Sequence, residues 1–335
     1  MIGRRSSGRL GRSARLVAAR LLQLVATLLL ILLFAFVVFY ILPGEPARIM
    51  LGPNATPEKV AALERSLGLD QPFPLRLARY VGNLLRGDLG TSLRFAQPVT
   101  RLIMERLELT LSLAAGGLLL ALLVGAPLAF IAARHPGGLI DRVILALSRI
   151  GLAVPPFYLA ILLTLAAGAL FRSFGGVRYV PPHVSLTASL RSLLLPAIAV
   201  AVPRVAWVVQ FLRGALVEQF EMDYVRTARG KGLSRPAILI RHLLPNALVP
   251  LITVLGLVLA ELFSGALIIE QVYNLPGLGR LLVTAVEARD FPLALGIILV
   301  IASLVVLAGT LVDLINGLID PRLAHARPGR GTVLR

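Results

Sequence analysis

Bond-making chemistry has few places to reside in this sequence. It contains no cysteine, which excludes thiolate nucleophiles, disulfides and thiolate metal sites. Its four histidines, His135, His183, His242 and His325, share no metal-ligand spacing. No G-x-x-x-x-G-K-[ST] occurs. Gly230-Lys231-Gly232 is the nearest fragment and lacks the upstream glycine and the downstream hydroxyl, so no P-loop binds ATP here. G-x-S-x-G and H-E-x-x-H are also absent. What remains is charge placed where charge is costly. Arg204 (in VPRVAWVVQ) and Glu261 (in LAELFSG) each interrupt a long apolar run. At the centre of a membrane helix such a residue costs about 2.5–3.5 kcal/mol on insertion scales, so it faces a cavity or a partner. Either the two residues line or pair across a solute route, or they are structural polar contacts between helices, with Arg204 alternatively snorkelling to a surface. Asp313 lies deep in the last apolar run in the same way.

The elements that carry these charges are membrane spans. The 335 residues are 57% hydrophobic, with a mean hydropathy of +0.85, too apolar for a soluble chain of this length. Six runs reach the roughly 20 apolar residues a bilayer requires: Leu21–Leu42, Thr110–Ala133, Ile144–Phe171, Leu193–Leu212, Leu248–Ile269 and Leu293–Ile319. Pro155-Pro156 interrupts the third, which predicts a kink or a late start. The fold class expected is an all-α integral membrane protein with six transmembrane helices.

The net charge of +17 invites a nucleic-acid reading, and its distribution argues against one. With the N-terminus inside, the segments 1–20, 134–143, 213–247 and 320–335 carry 18 Lys/Arg, whereas the outer loops 172–192 and 270–292 carry five. That bias is the positive-inside rule, with both termini cytoplasmic. The nine basic residues of the long 43–106 loop do not enter the count, since long loops cross largely regardless of charge. Arg4 to Arg20 ahead of an apolar run resemble a signal peptide. However, Leu21–Leu42 is too long for a signal core and no small-x-small cleavage site follows. An uncleaved first anchor at 21–42 is the expectation.

Residues 43–106 read as a folded layer outside the cytoplasm rather than a linker. Thr56-Pro57-Glu58 opens a helix with a capped start that Gly68 ends. Pro74–Leu85 forms a second amphipathic helix, and Val99–Leu107 a third running toward the second span.

Between the fourth and fifth spans lies Glu221–Pro250, EMDYVRTARGKGLSRPAILIRHLLPNALVP. Asp223 is placed to cap a helix over Tyr224–Lys231. Gly232 sits where a left-handed stop is needed. Ser234 offers a second cap, with Pro236 early in the next helix. Ala228 and Gly232, four apart, would share a small face that lets another surface approach. This segment resembles the coupling loop of ABC importer permeases, whose motif is Glu-Ala-Ala, three residues, Gly, nine residues, Ile, one residue, Leu-Pro. Arg226, Thr227, Ala228, Gly232, His242, Leu244 and Pro245 occupy those positions; Arg226, Thr227 and His242 depart from it. Asp223–Arg229, DYVRTAR, is similar to the variant found in dipeptide and oligopeptide permeases.

Two further stretches carry the same resemblance. Gly52-Pro53-Asn54-Ala55 with Pro57-Glu58, Leu67-Gly68-Leu69-Asp70 with Pro72, and Gly87-Asp88-Leu89-Gly90 with Ser92 match the layer that marks one of the two permeases of peptide importers. Asn274-Leu275-Pro276-Gly277-Leu278-Gly279-Arg280 followed by Ala288–Pro292 is similar to the family's segment between the last two spans. There, Pro276, Gly277 and Gly279 are expected to force a sharp reversal at the outer face, with a short helix over Leu281–Val286. Asp320-Pro321-Arg322 closes the last span as in relatives.

The resemblance implies a type I ABC importer permease fold in a bacterial inner membrane, with 107–320 as the transmembrane domain, 213–247 as the coupling loop and 321–335 as a cytoplasmic tail. It implies a chain that is not itself an enzyme and binds no cofactor, ATP and Mg being used by partner subunits. The implied partners are a second, similar permease, one or two cytoplasmic ATPases, an extracytoplasmic solute-binding protein and the bilayer, but no nucleic acid. Asp223, Tyr224, Arg226, Thr227, Ala228, Gly232 and Leu233 would then couple to the ATPase. Peptides are the implied cargo; relatives carrying nickel, glutathione or sugars share nearly the same motifs. An ion-driven secondary transporter would require repeats and matched intramembrane acids, for which Glu261 alone is thin support, and a membrane-embedded enzyme would require a paired nucleophile and base or ligand spacing.

The charge bias makes the orientation testable. A cysteine introduced at Asn54 in this cysteine-free chain is expected to react with an impermeant thiol reagent in intact spheroplasts, and one at Ser234 is not. The reverse labelling pattern would invert the topology.

Overall fold

A computed structural model describes residues 6–41, 46–52, 54–68, 70–170, 179–238, 241 and 243–319. His242, the Asp320-Pro321-Arg322 closure, Arg4 and Arg5, Pro53, Leu69, the tail 321–335 and part of the 172–192 loop lie outside the described residues, as does the side chain of Asp313. Among the described residues the elements are helices, in the order α1 (Ser6–Ile41), α2 (Pro46–Leu51), α3 (Pro57–Leu67), α4 (Phe73–Leu85), α5 (Val99–Ala133), α6 (Leu139–Ala153), α7 (Pro156–Leu170), α8 (Leu186–Phe220), α9 (Asp223–Gly230), α10 (Arg235–Ile238), α11 (Leu244–Val272), α12 (Leu278–Glu287) and α13 (Phe291–Ile319). Five are long and apolar enough to cross a membrane; the bent pair α6–α7 makes six if taken as one span. The expected six runs therefore each fall on helix. Pro155, which lacks an N–H, stands at the break in the third, where the chain turns by 104°.

One expectation is corrected in the 43–106 region. The third amphipathic helix is not separate: Val99–Leu107 is the beginning of α5, because nothing between Leu107 and Thr110 stops a helix. At the start of α3, Thr56 holds the extended conformation of a cap, but its hydroxyl makes no cap bond. The Glu58 carboxyl is held below its ordinary pKa by the Glu58 backbone N–H and, second, by the Thr56 hydroxyl.

The chain divides into two compact units, Met1–Glu108 with Pro276–Leu307, and Leu109–Leu275 with Ala308–Arg335. In the first, α4 lays Phe73, Leu77 and Tyr80 against Ala35 and Phe36 of α1, with Phe36 and Phe73 edge to face at 5.4 Å. Burial pushes the Tyr80 phenol above its usual range. A second cluster joins Val99, Leu102 and Ile103 to Leu278, Leu281 and Ala285 of α12 and to Leu293, Ala294 and Ile297 of α13.

Asp290 fixes the start of α13 within this unit. Its carboxylate is fully buried. It accepts from the Leu293 N–H at 3.2 Å, as an N-cap does, and from Ser92 Oγ at 2.5 Å and the Arg94 N–H at 3.0 Å. The segments Gly87–Ser92 and Ala288–Pro292, far apart in sequence, are thereby hydrogen-bonded to each other.

In the second unit α8 is the central helix, packing on α6, α7 and α11. Small residues permit the close approach. A Cβ on Gly125 of α5 would lie 2.9 Å from Val208, and one on Gly117 would lie 2.8 Å from Leu262. This is how membrane helices pack where water provides no driving force between them. Charged and polar side chains are matched internally. Arg213 of α8 grips Asp141 of α6 with two bonds of 3.0 and 2.6 Å, and Asp141 also accepts from the Gly137 N–H. Thr110 donates to the buried Glu270 at 2.6 Å.

Among the described residues, four helices end on a left-handed residue flanked by paired 6→1 and 5→2 backbone bonds, the Schellman arrangement. The residues are Gly87 after α4, Gly232 after α9, Asn274 after α11 and Arg289 after α12.

Replacing Asp290 by alanine would leave the Ser92 hydroxyl proton, the buried Leu293 N–H and the part-buried Arg94 N–H without their acceptor. A loss on the order of 3 kcal/mol is expected, read as a lower melting temperature of the detergent-solubilised protein. Asp290→Asn, which keeps one acceptor oxygen, should fall between the two. An alanine variant as stable as wild type would show that the cap carries no weight.

Candidate functional site

Two places in the second unit gather the residues whose types matter. The first is α9. Met222 takes the extended conformation that precedes the helix, so Asp223 is its first residue and not its cap, which corrects the capping expectation. The Asp223 carboxylate is exposed and stands where the helix dipole favours an anion. Its ion pair with Arg226, at 3.8 Å between exposed side chains, contributes little.

The residues expected to act together divide between two faces. Val225 and Ala228 point inward, into a core of Leu212 and Leu216 from α8, Ile238 from α10, and Leu243, Ala247 and Leu251 at and along α11. Tyr224 and Leu233 pack against the same core. The Tyr224 hydroxyl donates to Gln219 Oε1 at 2.6 Å and accepts from Asn246 Nδ2 at 3.3 Å, which ties the end of α8 to the start of α11. Asp223, Arg226, Thr227 and Gly232 face outward, with Arg229 and Lys231 beside them. The expectation that Ala228 and Gly232 share one small face fails. Ala228 is 5% exposed, and Gly232 lies beyond the helix with φ +77°. Once the chain turns left-handed, four-residue spacing no longer places side chains on one face. Gly232 is held open: a Cβ added there meets nothing within 4 Å.

α9 is thus a short helix seated in the core shared by α8 and α11, with a basic outer surface. Burying a valine contributes about 1.5–3 kcal/mol, and Val225 is completely enclosed. α9 is therefore packed against both long helices rather than held in a loop apart from them.

The second place is a cleft of about 400 Å³ bounded by the α6–α7 elbow at Pro155 and Pro156, by Pro203, Arg204 and Trp207 of α8, and by Glu261 and Gly265 of α11. The two intramembrane charges meet here. Arg204 Nη2 donates to the Glu261 backbone oxygen at 2.5 Å and approaches its carboxylate at 3.5 Å. Arg204 is buried, whereas the Glu261 side chain is 61% exposed. Gly265 makes the placement possible, since a Cβ there would lie 2.7 Å from Nη2.

Among the outer-loop residues, the left-handed step that ends α11 is taken by Asn274, φ 55°, which tolerates it through its short polar side chain. Gly277 is extended, φ −103°, and Gly279 lies in the first turn of α12; both are buried. The reversal therefore does not rest on left-handed glycines. Sequence reasoning also passed over Asp141, Arg213, Glu270 and Asp290. Each lies at or just beyond the end of an apolar run, where an acid or an arginine reads as the start of a loop.

Comparison with known proteins places this arrangement in a family. Residues 125–325 match the binding-protein-dependent transport system inner membrane component family, and residues 13–114 match its N-terminal counterpart. A probable peptide ABC transporter permease of Sinorhizobium fredii is 35% identical, over 92% of this chain and 99% of the relative. A probable D,D-dipeptide transport system permease of Escherichia coli is 38% identical, over 87% and 92%. Among solved structures, the inward-facing MetNI methionine ABC transporter shares the fold with a TM-score of 0.53 at 16% identity, over 65% of this chain and 96% of that one. With two family matches spanning both halves and relatives aligned end to end, the chain belongs to the binding-protein-dependent transport system inner membrane components and is a permease subunit of an ABC importer.

Proposed function

We propose that this chain forms one half of the membrane pathway of an ATP-driven importer of di- or oligopeptides. The other half would be a second, homologous permease. One or two cytoplasmic ATPases would use ATP and Mg, and an extracytoplasmic binding protein would deliver the solute. The cargo is supported by the relatives that are named for peptides and dipeptides. In this reading both termini are cytoplasmic, residues 43–106 form a layer on the outer side, and 213–247 lies in the cytoplasm, supported by the distribution of Lys and Arg.

The observation that carries the reading is the seating of α9, whose inner face belongs to the core of α8 and α11. Its exposed residues Asp223, Arg226, Thr227 and Gly232 form the surface that an ATPase groove would hold. Tyr224, Ala228 and Leu233 form the inner side, which passes the motion on. ATPase closure would move α9, and with it α8 and α11, between inward-open and outward-open arrangements. Arg204 and Glu261 would line the route in the cleft beside the α6–α7 elbow. The direct test is uptake of labelled peptides by the complete complex in proteoliposomes. Uptake is expected with ATP and is expected to vanish with a catalytically inactive ATPase. ATP-independent uptake, or none, would sink the reading.

Gly232 separates coupling from mere connection. Its positive φ costs an ordinary residue about 1–2 kcal/mol, and valine more. Gly232→Val should leave the spans inserted but weaken ATPase association or uncouple hydrolysis from uptake, with Gly232→Ala milder. Asparagine tolerates the left-handed backbone, and this chain leaves room for its side chain. Any loss in Gly232→Asn therefore reports the docking surface itself. Full association and transport by Gly232→Val would reduce the segment to a linker.

A further inference from the structure

The cleft at Arg204 holds two opposite charges that are only loosely matched to each other. Arg204 is 6% exposed, and its Nη2 makes both contacts with Glu261. A guanidinium carries five N–H donors in a rigid fork. Among the described residues Glu261 is the partner of this one, and it is met through Nη2 alone, which leaves the Nε and Nη1 donors, two groups that share no edge, uncommitted. The Glu261 carboxylate, in turn, lies 3.5 Å from Nη2, with 61% of its side chain exposed. A well-matched buried pair would close to about 2.7–2.9 Å and use two parallel bonds, as Arg213 and Asp141 do in the same unit.

The volume and lining suit a small polar ligand. About 400 Å³ lies within the usual range for small-molecule pockets. Pro155, Pro156, Pro203 and Trp207 supply walls, and the two charges supply the polar contacts. The missing side chain at Gly265 leaves the guanidinium in contact with the α11 backbone, so its position is set by packing as well as by Glu261.

The geometry points to a site that reads the two ends of a short zwitterionic peptide. A free donor of Arg204, Nη1 or Nε, takes the terminal carboxylate, and Glu261 takes the terminal ammonium. This rests on the peptide-importer reading above. No bond is made or broken: the ligand's charges meet the outer sides of a pair whose mutual contact is already loose. A guanidinium N–H meets a carboxylate in a charge-assisted bond, and the carboxylate of Glu261 is the counterpart an ammonium requires. The cleft would therefore add a charge filter inside the membrane to whatever selection occurs before it.

The experiment compares three forms of one dipeptide in the reconstituted complex: free, C-terminally amidated and N-acetylated. The same binding protein is used throughout, so its own selectivity cancels in each variant-to-wild-type ratio. Glu261→Gln is expected to lower uptake of the free and amidated forms about tenfold, the scale of one lost charge-assisted contact, while sparing the N-acetyl form. Gly265→Ala keeps every charge but pushes a methyl toward the guanidinium, so it should erode the preference for free carboxylate over amide and leave the ammonium preference intact. Arg204→Gln should abolish the carboxylate preference; complex yield is measured alongside, and if this variant fails to assemble the other two still decide the question. ATP-driven uptake by wild type with equal ratios in Glu261→Gln and Gly265→Ala would overturn the site while leaving the importer intact. ATP-driven uptake of none of the three forms by wild type would overturn the peptide reading, and the site's ligand with it.

Discussion

Charge inside an apolar helical protein has to be matched by groups of the protein itself, because a bilayer interior offers no water to do so. Much of the architecture follows from how that requirement is met. Asp141 is held by two donors from Arg213 and one from the Gly137 backbone. Glu270 is held by Thr110, and Asp290 by Ser92, Arg94 and the first turn of α13. Each match links segments distant in sequence, so each restricts how helices already driven into the bilayer by hydrophobicity can be arranged. Apolar transfer alone inserts the spans; these contacts, with glycine-mediated close packing, select among the many ways of bundling them.

Against that background the Arg204–Glu261 pair stands apart. It lies along a cleft, its carboxylate is largely exposed, and its ionic contact is longer than that of Arg213 with Asp141. A protein that can satisfy a buried carboxylate three ways at Asp290 has left this pair half-matched. Within one fold, the closed pairs belong to structure and the open pair to the cavity, and the difference is visible in distance and burial rather than in residue type.

The short helix α9 illustrates a second constraint. A helix of eight residues is too short to be stable by itself in water. α9 persists because Val225 and Ala228 are inserted into the core of α8 and α11, and because the Schellman stop at Gly232 closes it. Its stability thus comes from the core it shares with those two helices and from its stop. A segment held only by backbone hydrogen bonds would yield; one that shares a core with two long helices moves with them.

Sequence by itself determined the spans, the break at Pro155-Pro156, the helices between α1 and α5, the short helices between α8 and α11 and the stop at Gly232. These depend on local quantities: hydrophobic length, the missing N–H of proline, and the tolerance of glycine for positive φ. Only the tertiary structure decided which face each residue takes. Ala228 turned inward because its helix is buried on that side, and Gly232 left the shared face because the chain had already turned left-handed. The step after α11 fell to Asn274 rather than to Gly277, since the helix ended earlier than the glycines. Asp141, Glu270 and Asp290 could not be distinguished from loop acids, as their donors come from Arg213, Thr110 and Ser92, at separations that no local pattern encodes. For the same reason the sequence could give Arg204 and Glu261 as two costly charges, while only the packing of α8 on α11, with Gly265 making room, made them a pair beside a cleft.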